Sequence, residues 1–381
     1  MEKKKALLLL TGGRSVPDML VIKYLHPDAA FNITTAQGLK DANNLKEFSR
    51  SHFQCDIEVL PTIDPFDEQQ IKERCVEVLS REPDAEWIMH FTGSPKVVGI
   101  YAHDIARERS IPLLFLDTGG EQVVSLIKDY PIDTKQLFKA SVEEYMRAYG
   151  RTYEIPKSAI YRRQAESWYN ISQVLALQPE MTQILLAGLR GNNALAARIG
   201  AQAELLLQQI ASFGALTIIG RTTDTIECSI RDTDTLEFLK GDWLEVYVWK
   251  EAINAGFADD CQWGYKIVAE LPSNELDMAL TYKARLLIAE CKTSRNPFET
   301  DHLYKLHSVA ELVGGNYVRQ VFVTNCPRPK TNNESFDNFC RQADVRHIFV
   351  VTGEQLTGIG PLLKQQIGAA GSSLPPTYRD K

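Results

Sequence analysis

Residues 5–117 repeat one arrangement: a short run rich in apolar residues, a turn, and a helical stretch. The runs are KALLLL (5–10), FNITTA (31–36), CDIEVL (55–60), EWIMHF (86–91) and IPLLFL (111–116). Between them lie GLKDANNLKEFSRSHF (38–53) and DEQQIKERCVEVLS (67–80), the latter with Asp67 placed as an N-cap. Strands that are mostly continuous apolar runs, alternating with helices, are covered on both faces, so the pattern predicts a parallel sheet with helices on either side, a Rossmann-like arrangement. The opening MEKKKALLLLTGG joins charge to an apolar run. That run is about half the length of a signal-peptide core and leads into a glycine turn, so it reads as the first strand.

In such sheets ligands bind beyond the carboxyl ends of the strands. Three loops fall there: Thr11-Gly12-Gly13-Arg14-Ser15 ahead of Pro17, Thr92-Gly93-Ser94-Pro95-Lys96, and Asp117-Thr118-Gly119-Gly120. Small residues let the backbone approach a ligand, and helix N-termini favour phosphate. Any one loop is an ordinary strand-to-helix turn. Three on one edge, two carrying Arg14 or Lys96, point to an anionic ligand. Neither G-x-G-x-x-G nor a Walker A sequence is present, so a dinucleotide or nucleoside triphosphate is not indicated.

Residues 132–215 read as helical. They include LFKASVEEYMRAYG (137–150), NNALAARIGAQAELLLQQIASF (192–213), and between them a stretch whose Arg162 and Arg163 suit a solvated face. Beyond Gly241 the pattern becomes a helix (GDWLEVYVWKEAINAG), three strands in series (WGYKIVAELP, NELDMALTY, RLLIAECKTS), a helix ended by two glycines (HLYKLHSVAELVGG), and two more strands (NYVRQVFVTN, VRHIFVVTG). That order makes a second α/β core. The predicted organisation is a Rossmann-like domain over 1–131, a helical connector over 132–215, an α/β domain over 216–367 and a disordered tail over 368–381.

Strand alternation puts Leu286, Ile288, Glu290 and Lys292 on one face. Asp277 lies on the preceding strand of the hairpin, thirteen positions upstream of Glu290, and Glu275 shares its face. Asp277 and Glu290 can hold one hard cation through oxygen. Lys292 beside them can hold an attacking water or steady a phosphorane, the requirement of metal-assisted phosphodiester hydrolysis. An isolated E-x-K is commonly a strand-end salt bridge. The upstream acid, the hairpin and the helical Glu245 add weight to the catalytic reading. Of the two acids on the first strand, Asp277 is favoured over Glu275. Tyr304, Lys305 and His307, on the helix after the E-x-K, could also face a substrate.

Composition narrows the function classes. The 381 residues are 44% hydrophobic, enough for two cores, and carry a formal charge of −7 with a pI near 5.6. That charge argues against a basic, sequence-independent nucleic-acid coat. The seven cysteines include no C-x-x-C pair and fit reduced thiols in a cytoplasm. No run reaches membrane-spanning length.

The set Asp277, Glu290, Lys292 and Glu245 resembles the PD-(D/E)xK nuclease core, with Leu276 where the family motif has proline. The wording GDWLE…NELD…ECKTS resembles the branch that joins an N-terminal CARF domain to this nuclease in type III CRISPR defence. The TGG after the first strand and TGSPK after the fourth resemble CARF ligand loops, although Ser94 and Pro95 depart from the usual wording. The resemblance implies a CARF sensor, a restriction-endonuclease-like C-terminal domain, and Mg2+ or Mn2+ held by Asp277, Glu290 and Glu245. It implies activation by a cyclic oligoadenylate, most simply cyclic tetra-adenylate. The loops would bind it through Thr11, Gly12, Gly13, Arg14, Ser15, Thr92, Gly93, Ser94, Lys96, Asp117 and Thr118. It further implies a homodimer and a nucleic-acid substrate, single-stranded or plasmid DNA and also RNA. Three alternatives stay open: a CARF ring nuclease that degrades its messenger, a non-catalytic CARF regulator, and a restriction or repair nuclease that needs no messenger.

Overall fold

The computed structural model describes residues 3–119, 121–190, 195–268, 274–314, 318–331 and 333–368. Gly120 and the expected tail beyond Gly368 lie outside the described residues. The chain falls into two compact units. One comprises Met1–Thr152 together with Thr281–Arg285, the other Tyr153–Leu280 together with Leu286–Lys381. The division falls inside the segment 132–215.

The first unit is built on a six-stranded sheet. Its strands are β1 (Lys5–Thr11), β2 (Ala29–Thr34), β3 (Ile57–Val59), β4 (Glu86–His90), β5 (Leu113–Asp117) and β6 (Gln122–Leu126), in the order β3-β2-β1-β4-β5-β6. The first five run parallel, and β6 turns back antiparallel on β5. Each apolar run of the sequence is a strand, because helices cover both faces. Leu8 and Leu10 pack with Met89, Val98 and Ala102 on one side, while Leu7 and Leu9 are buried on the other. Helices α1 (Ser15–Leu25), α2 (Leu39–His52), α3 (Glu68–Arg81) and α4 (Lys96–Arg109) connect the strands. Asp67 caps α3 through Oδ1, which accepts the Gln70 N–H at 3.0 Å. The strand order reverses between β1 and β4, so the loops that follow those two strands come side by side at one edge.

The second unit holds two sheets. The larger runs β15-β14-β13-β12-β11-β7, from β7 (Thr152–Glu154), β11 (Asp260–Val268), β12 (Asn274–Tyr282), β13 (Arg285–Lys292), β14 (Val318–Thr324) and β15 (Ile348–Val351). Strands β13, β14 and β15 are parallel. A two-residue turn, Lys283-Ala284, joins β12 to β13, and both residues take left-handed backbone (φ 53° and 58°), as a type I′ hairpin turn requires. Trp243, Trp263, Phe238, Phe322 and Phe339 of this unit are all fully buried.

The smaller sheet, β8-β10-β9, comprises β8 (Ala196–Gly200), β9 (Leu216–Arg221) and β10 (Thr225–Ile230) and is antiparallel throughout. It corrects the helical reading of 192–213. Ala197 and Ile199 are buried while Ala196 and Arg198 are exposed, a period of two that alanine's helix propensity disguised. Among the described residues of that stretch, only Glu204–Ser212 is α-helix. The short β7 is likewise a strand within the expected helical segment.

Candidate active site and ligand loops

At the carboxyl edge of the first sheet, glycines let loops touch backbone to backbone. A Cβ on Gly12 would stand 2.6 Å from the Gly93 carbonyl oxygen and 2.8 Å from Pro95 Cδ. One on Gly93 would stand 2.9 Å from the Arg14 carbonyl oxygen. Gly13 has φ 117°, a conformation open to glycine. A further loop, Thr34 to Gly38, joins them: Thr34 Oγ1 donates to the Thr11 carbonyl at 2.9 Å, and Gly38 is pressed against Thr34, Thr11 and Gly12. The sequence reading passed it over, although TTAQG closes a strand with small residues.

The candidate ligand residues divide by exposure. Arg14 and Lys96 are exposed, Lys96 as the first residue of α4. Thr11 and Ser15 are buried beneath the loop, and the Thr11 hydroxyl donates to Asp18 Oδ2 at 2.8 Å. Thr92 Oγ1 accepts the Leu116 N–H at 2.7 Å, tying the β4 loop to β5. The Ser94 hydroxyl donates to the Phe91 carbonyl at 2.9 Å. Asp117 Oδ1 accepts the Gly119 N–H at 2.9 Å, and the Thr118 carbonyl accepts Arg285 Nε at 3.1 Å.

In the second unit β12 and β13 carry the acids. Glu290 is 1% exposed and Asp277 7%. Lys292 Nζ lies 2.6 Å from Glu290 Oε1 and 3.8 Å from Asp277 Oδ2, and donates to the Cys291 carbonyl at 3.3 Å. Asp277 Oδ2 accepts the Cys291 backbone N–H at 2.6 Å, which locks the carboxylate against β13. Burial pushes the Asp277 carboxyl up to about 7, the Glu290 charge adds to the rise, and Lys292 opposes it. Burial works against the Lys292 charge, but Asp277 and Glu290 outweigh it and raise its pKa. Glu275, on the same strand, is exposed.

Glu245 enters from the helix Trp243–Asn254. Burial raises its pKa well above the ordinary carboxylate range, and the Asp277 charge raises it further. Its buried Oε2 takes no hydrogen bond among the described residues, and Lys157 Nζ stands 3.9 Å away. Lys157 itself is paired with Asp242, to which Tyr161 also donates at 2.5 Å. Lys157 and Tyr161 escaped the sequence reading because tertiary packing brings them to Glu245, whereas Asp242 lies three residues before it. Arg162 is not on a solvated face: its guanidinium donates to the Trp263 carbonyl at 2.5 Å and lies 4.6 Å from that ring's centre. Arg163 is exposed.

Lys305 reaches the acids, with Nζ 3.3 Å from Glu290 Oε1. Tyr304 instead packs under Arg346, 4.0 Å from ring centre to guanidinium carbon, and His307 Nδ1 faces Gln320 at 3.4 Å. Among the described residues no three His, Cys, Asp or Glu side chains stand ready to hold one metal ion. Each acid is paired: Glu290 faces Lys292 and Lys305, Asp277 faces a backbone N–H, and Glu245 faces Lys157.

Residues 232–359, which contain the whole acidic cluster, match the family model of the Card1-like endonuclease domain. The comparison with curated proteins gives no match. Among solved structures the fold is similar to Can2 from Sulfobacillus thermosulfidooxidans in complex with cyclic tetra-adenylate, with TM-score 0.74, 18% identity, and 96% of this chain and 97% of that one covered. It is similar to VC1899 from Vibrio cholerae, with TM-score 0.76, 18% identity, and 97% and 99% covered. A type III CRISPR defence DNA nuclease activated by cyclic oligoadenylate matches at TM-score 0.54 and 16% identity, over 87% of this chain and 48% of that one. Nearly the whole length of the chain thus has the fold of these solved structures, and its residues 232–359 match the Card1-like endonuclease domain.

Proposed function

We propose that this chain is a homodimeric, metal-dependent nuclease that hydrolyses phosphodiester bonds of DNA, and of RNA as a second substrate, when a cyclic oligoadenylate occupies the loops of its first unit. The observation that carries this reading is the meeting of Asp277, Glu290 and Lys292 at one buried strand end within the Card1-like endonuclease domain. Two structural neighbours support the messenger, one in complex with cyclic tetra-adenylate and one activated by cyclic oligoadenylate.

The donor set fits Mg2+ or Mn2+. Asp277, Glu290 and Glu245 are hard oxygen donors, and the buried Oε2 of Glu245 lacks a hydrogen-bond donor. Burial and mutual repulsion raise the Asp277 and Glu245 pKa values, so positive charge added there is favoured. Asp277, Glu290 and Glu245 would hold the cation, which when bound neutralises phosphate charge and acidifies a water for attack. Asp277 is held in place by the Cys291 N–H, and Glu290 by its position in the buried strand. Lys292 keeps its ammonium at this point through the Cys291 carbonyl and Asp277, where it orients the attacking water and opposes the charge that grows on the phosphorane.

The test is cleavage of labelled single-stranded DNA, single-stranded RNA and plasmid, with each cyclic oligoadenylate and with Mg2+, Mn2+ or chelator. Cutting should require both messenger and metal and should vanish in Glu290→Gln and Lys292→Ala. Cleavage that persists in those variants with chelator present would overturn the assignment. Loss of the cyclic messenger during incubation, without cutting of any nucleic acid, would move the activity to the first unit.

A further inference from the structure

The pairing at Glu290 is lopsided. One carboxylate oxygen, Oε1, faces two ammonium groups, Lys292 at 2.6 Å and Lys305 at 3.3 Å. A single lysine suffices to neutralise it. The two lysines are also held differently. An ammonium has three N–H donors. Lys292 directs its donors towards the Cys291 carbonyl and Asp277 as well, so it stays at the strand end whatever Glu290 does. Lys305 has Glu290 as its one acceptor among the described residues.

Exposure grades in the same order. The Glu290 side chain is 1% exposed, Lys292 26% and Lys305 40%, so Lys305 stands on the open side of the cluster. Its stem is firmly based. It rises from the helix Thr300–Leu312, which Leu303, Leu306 and Val309 anchor with essentially no exposure. A head on the open side and a base that is fixed suit a group that meets a substrate.

We propose that Lys305 is a second catalytic lysine: when Glu290 turns to a divalent cation, the released Lys305 ammonium contacts the phosphate at the scissile bond. This rests on the nuclease reading above. Charge supports it. Asp277, Glu290 and Glu245 bring three negative charges, Lys292 and Lys305 two positive ones, and a divalent cation two more. Lys305 thus supplies the net positive charge that the site offers to a phosphorane, and without it the sum falls to zero. Donors already aimed where charge develops are the effective ones in a water-poor site.

The experiment compares the full-length wild type with Lys305→Met, Lys305→Arg and Glu290→Gln. Three quantities are read: Mn2+ binding by electron paramagnetic resonance, binding of a fluorescent single-stranded DNA in Ca2+, and single-turnover cleavage of that DNA and of plasmid with messenger present. Lys305→Met should lower the single-turnover rate by roughly 10- to 100-fold. Its Mn2+ binding should be equal or tighter, because a competing ammonium has left Glu290. Lys305→Arg should recover most of the rate.

Two results would overturn the inference. One is Lys305→Met cutting within about threefold of wild type while binding Mn2+ more tightly, which would make Lys305 only a counter-ion. The other is Lys305→Met losing Mn2+ binding, which would make it a structural support. The Glu290→Gln variant separates this from failure of the site itself. If it cuts like wild type, the nuclease assignment falls and takes Lys305 with it. If it is dead while Lys305→Met is fully active, only Lys305 is misassigned.

Discussion

Asp277 is held in the fold at a cost. An aspartate in an unfolded chain titrates near 3.9, whereas burial and the Glu290 charge bring this one to about 7. Between those values the folded protein holds a proton that the unfolded chain has lost. Stability is therefore full below the unfolded pKa and is lost as pH rises through about 7. At roughly 1.4 kcal/mol per unit, the ionised form costs on the order of a few kcal/mol. Asp277→Asn should melt several degrees above wild type at pH 8 in chelator, at roughly 2–4 °C per kcal/mol, and the gap should close by pH 5. Mn2+ should raise the wild-type melting temperature at pH 8 and leave the variant nearly unmoved. Equal melting of the two at pH 8 in chelator would show that the carboxylate is not strained. Asp277→Asn should also abolish cleavage, whereas Glu275→Gln, exposed on the same strand, should retain most of it. These acids were legible in the sequence because their relation is local: an i, i+2 pair on one strand and a hairpin partner thirteen positions earlier. Lys305 was a candidate from its helix after the E-x-K, whereas Lys157 reaches the site from elsewhere in the chain, and no spacing rule announces such an arrival.

At the scale of elements, the first sheet was legible because runs rich in apolar residues, alternating with helices, admit one arrangement, and every run became a strand. The misreading of β8 has the opposite origin. AARIG is short and alanine-rich, and its alternation appears only once β10 lies beside it. The edge strand β6 carries half-exposed Val123 and exposed Val124 and offered no apolar run to read. The glycine loops make the sharpest test at this scale. Gly12 faces the Gly93 carbonyl across a gap too small for a methyl group, and backbone on the far side cannot swing away as a side chain would. Gly12→Ala should destabilise the first unit by about 1–3 kcal/mol, the usual cost of overpacking, and should weaken binding of cyclic tetra-adenylate. Thermal melts and calorimetric titration read the two effects. A variant that keeps both wild-type stability and wild-type affinity would mean that the β1 and β4 loops are free to part. By contrast Asp67→Ala, at the α3 cap, should cost about 1 kcal/mol and leave messenger binding unchanged.

For the whole molecule the net charge of −7 matters, since both the proposed messenger and the proposed substrate are polyanions. Binding must then come from local positive charge, and Lys96, exposed at the start of α4, is one such source. A charge-assisted hydrogen bond is worth roughly 1.5–3 kcal/mol, or about tenfold or more in affinity. Cyclic tetra-adenylate has two-fold symmetry, and a two-fold axis through a homodimer would present the same loops to both halves of the ring. Calorimetric titration of the Glu290→Gln variant, which cannot cut, should therefore give one ring per two chains. One ring per chain on a monomer would remove the dimer from the mechanism. In the same titration Lys96→Ala should lose affinity twice over, once from each copy, so activation should need far more messenger. At saturation its cleavage rate should return towards wild type, because Lys96 takes no part in the chemistry. An unchanged half-maximal concentration together with unchanged binding would take the ring away from the β4 loop and direct attention to Asp117 and Thr118.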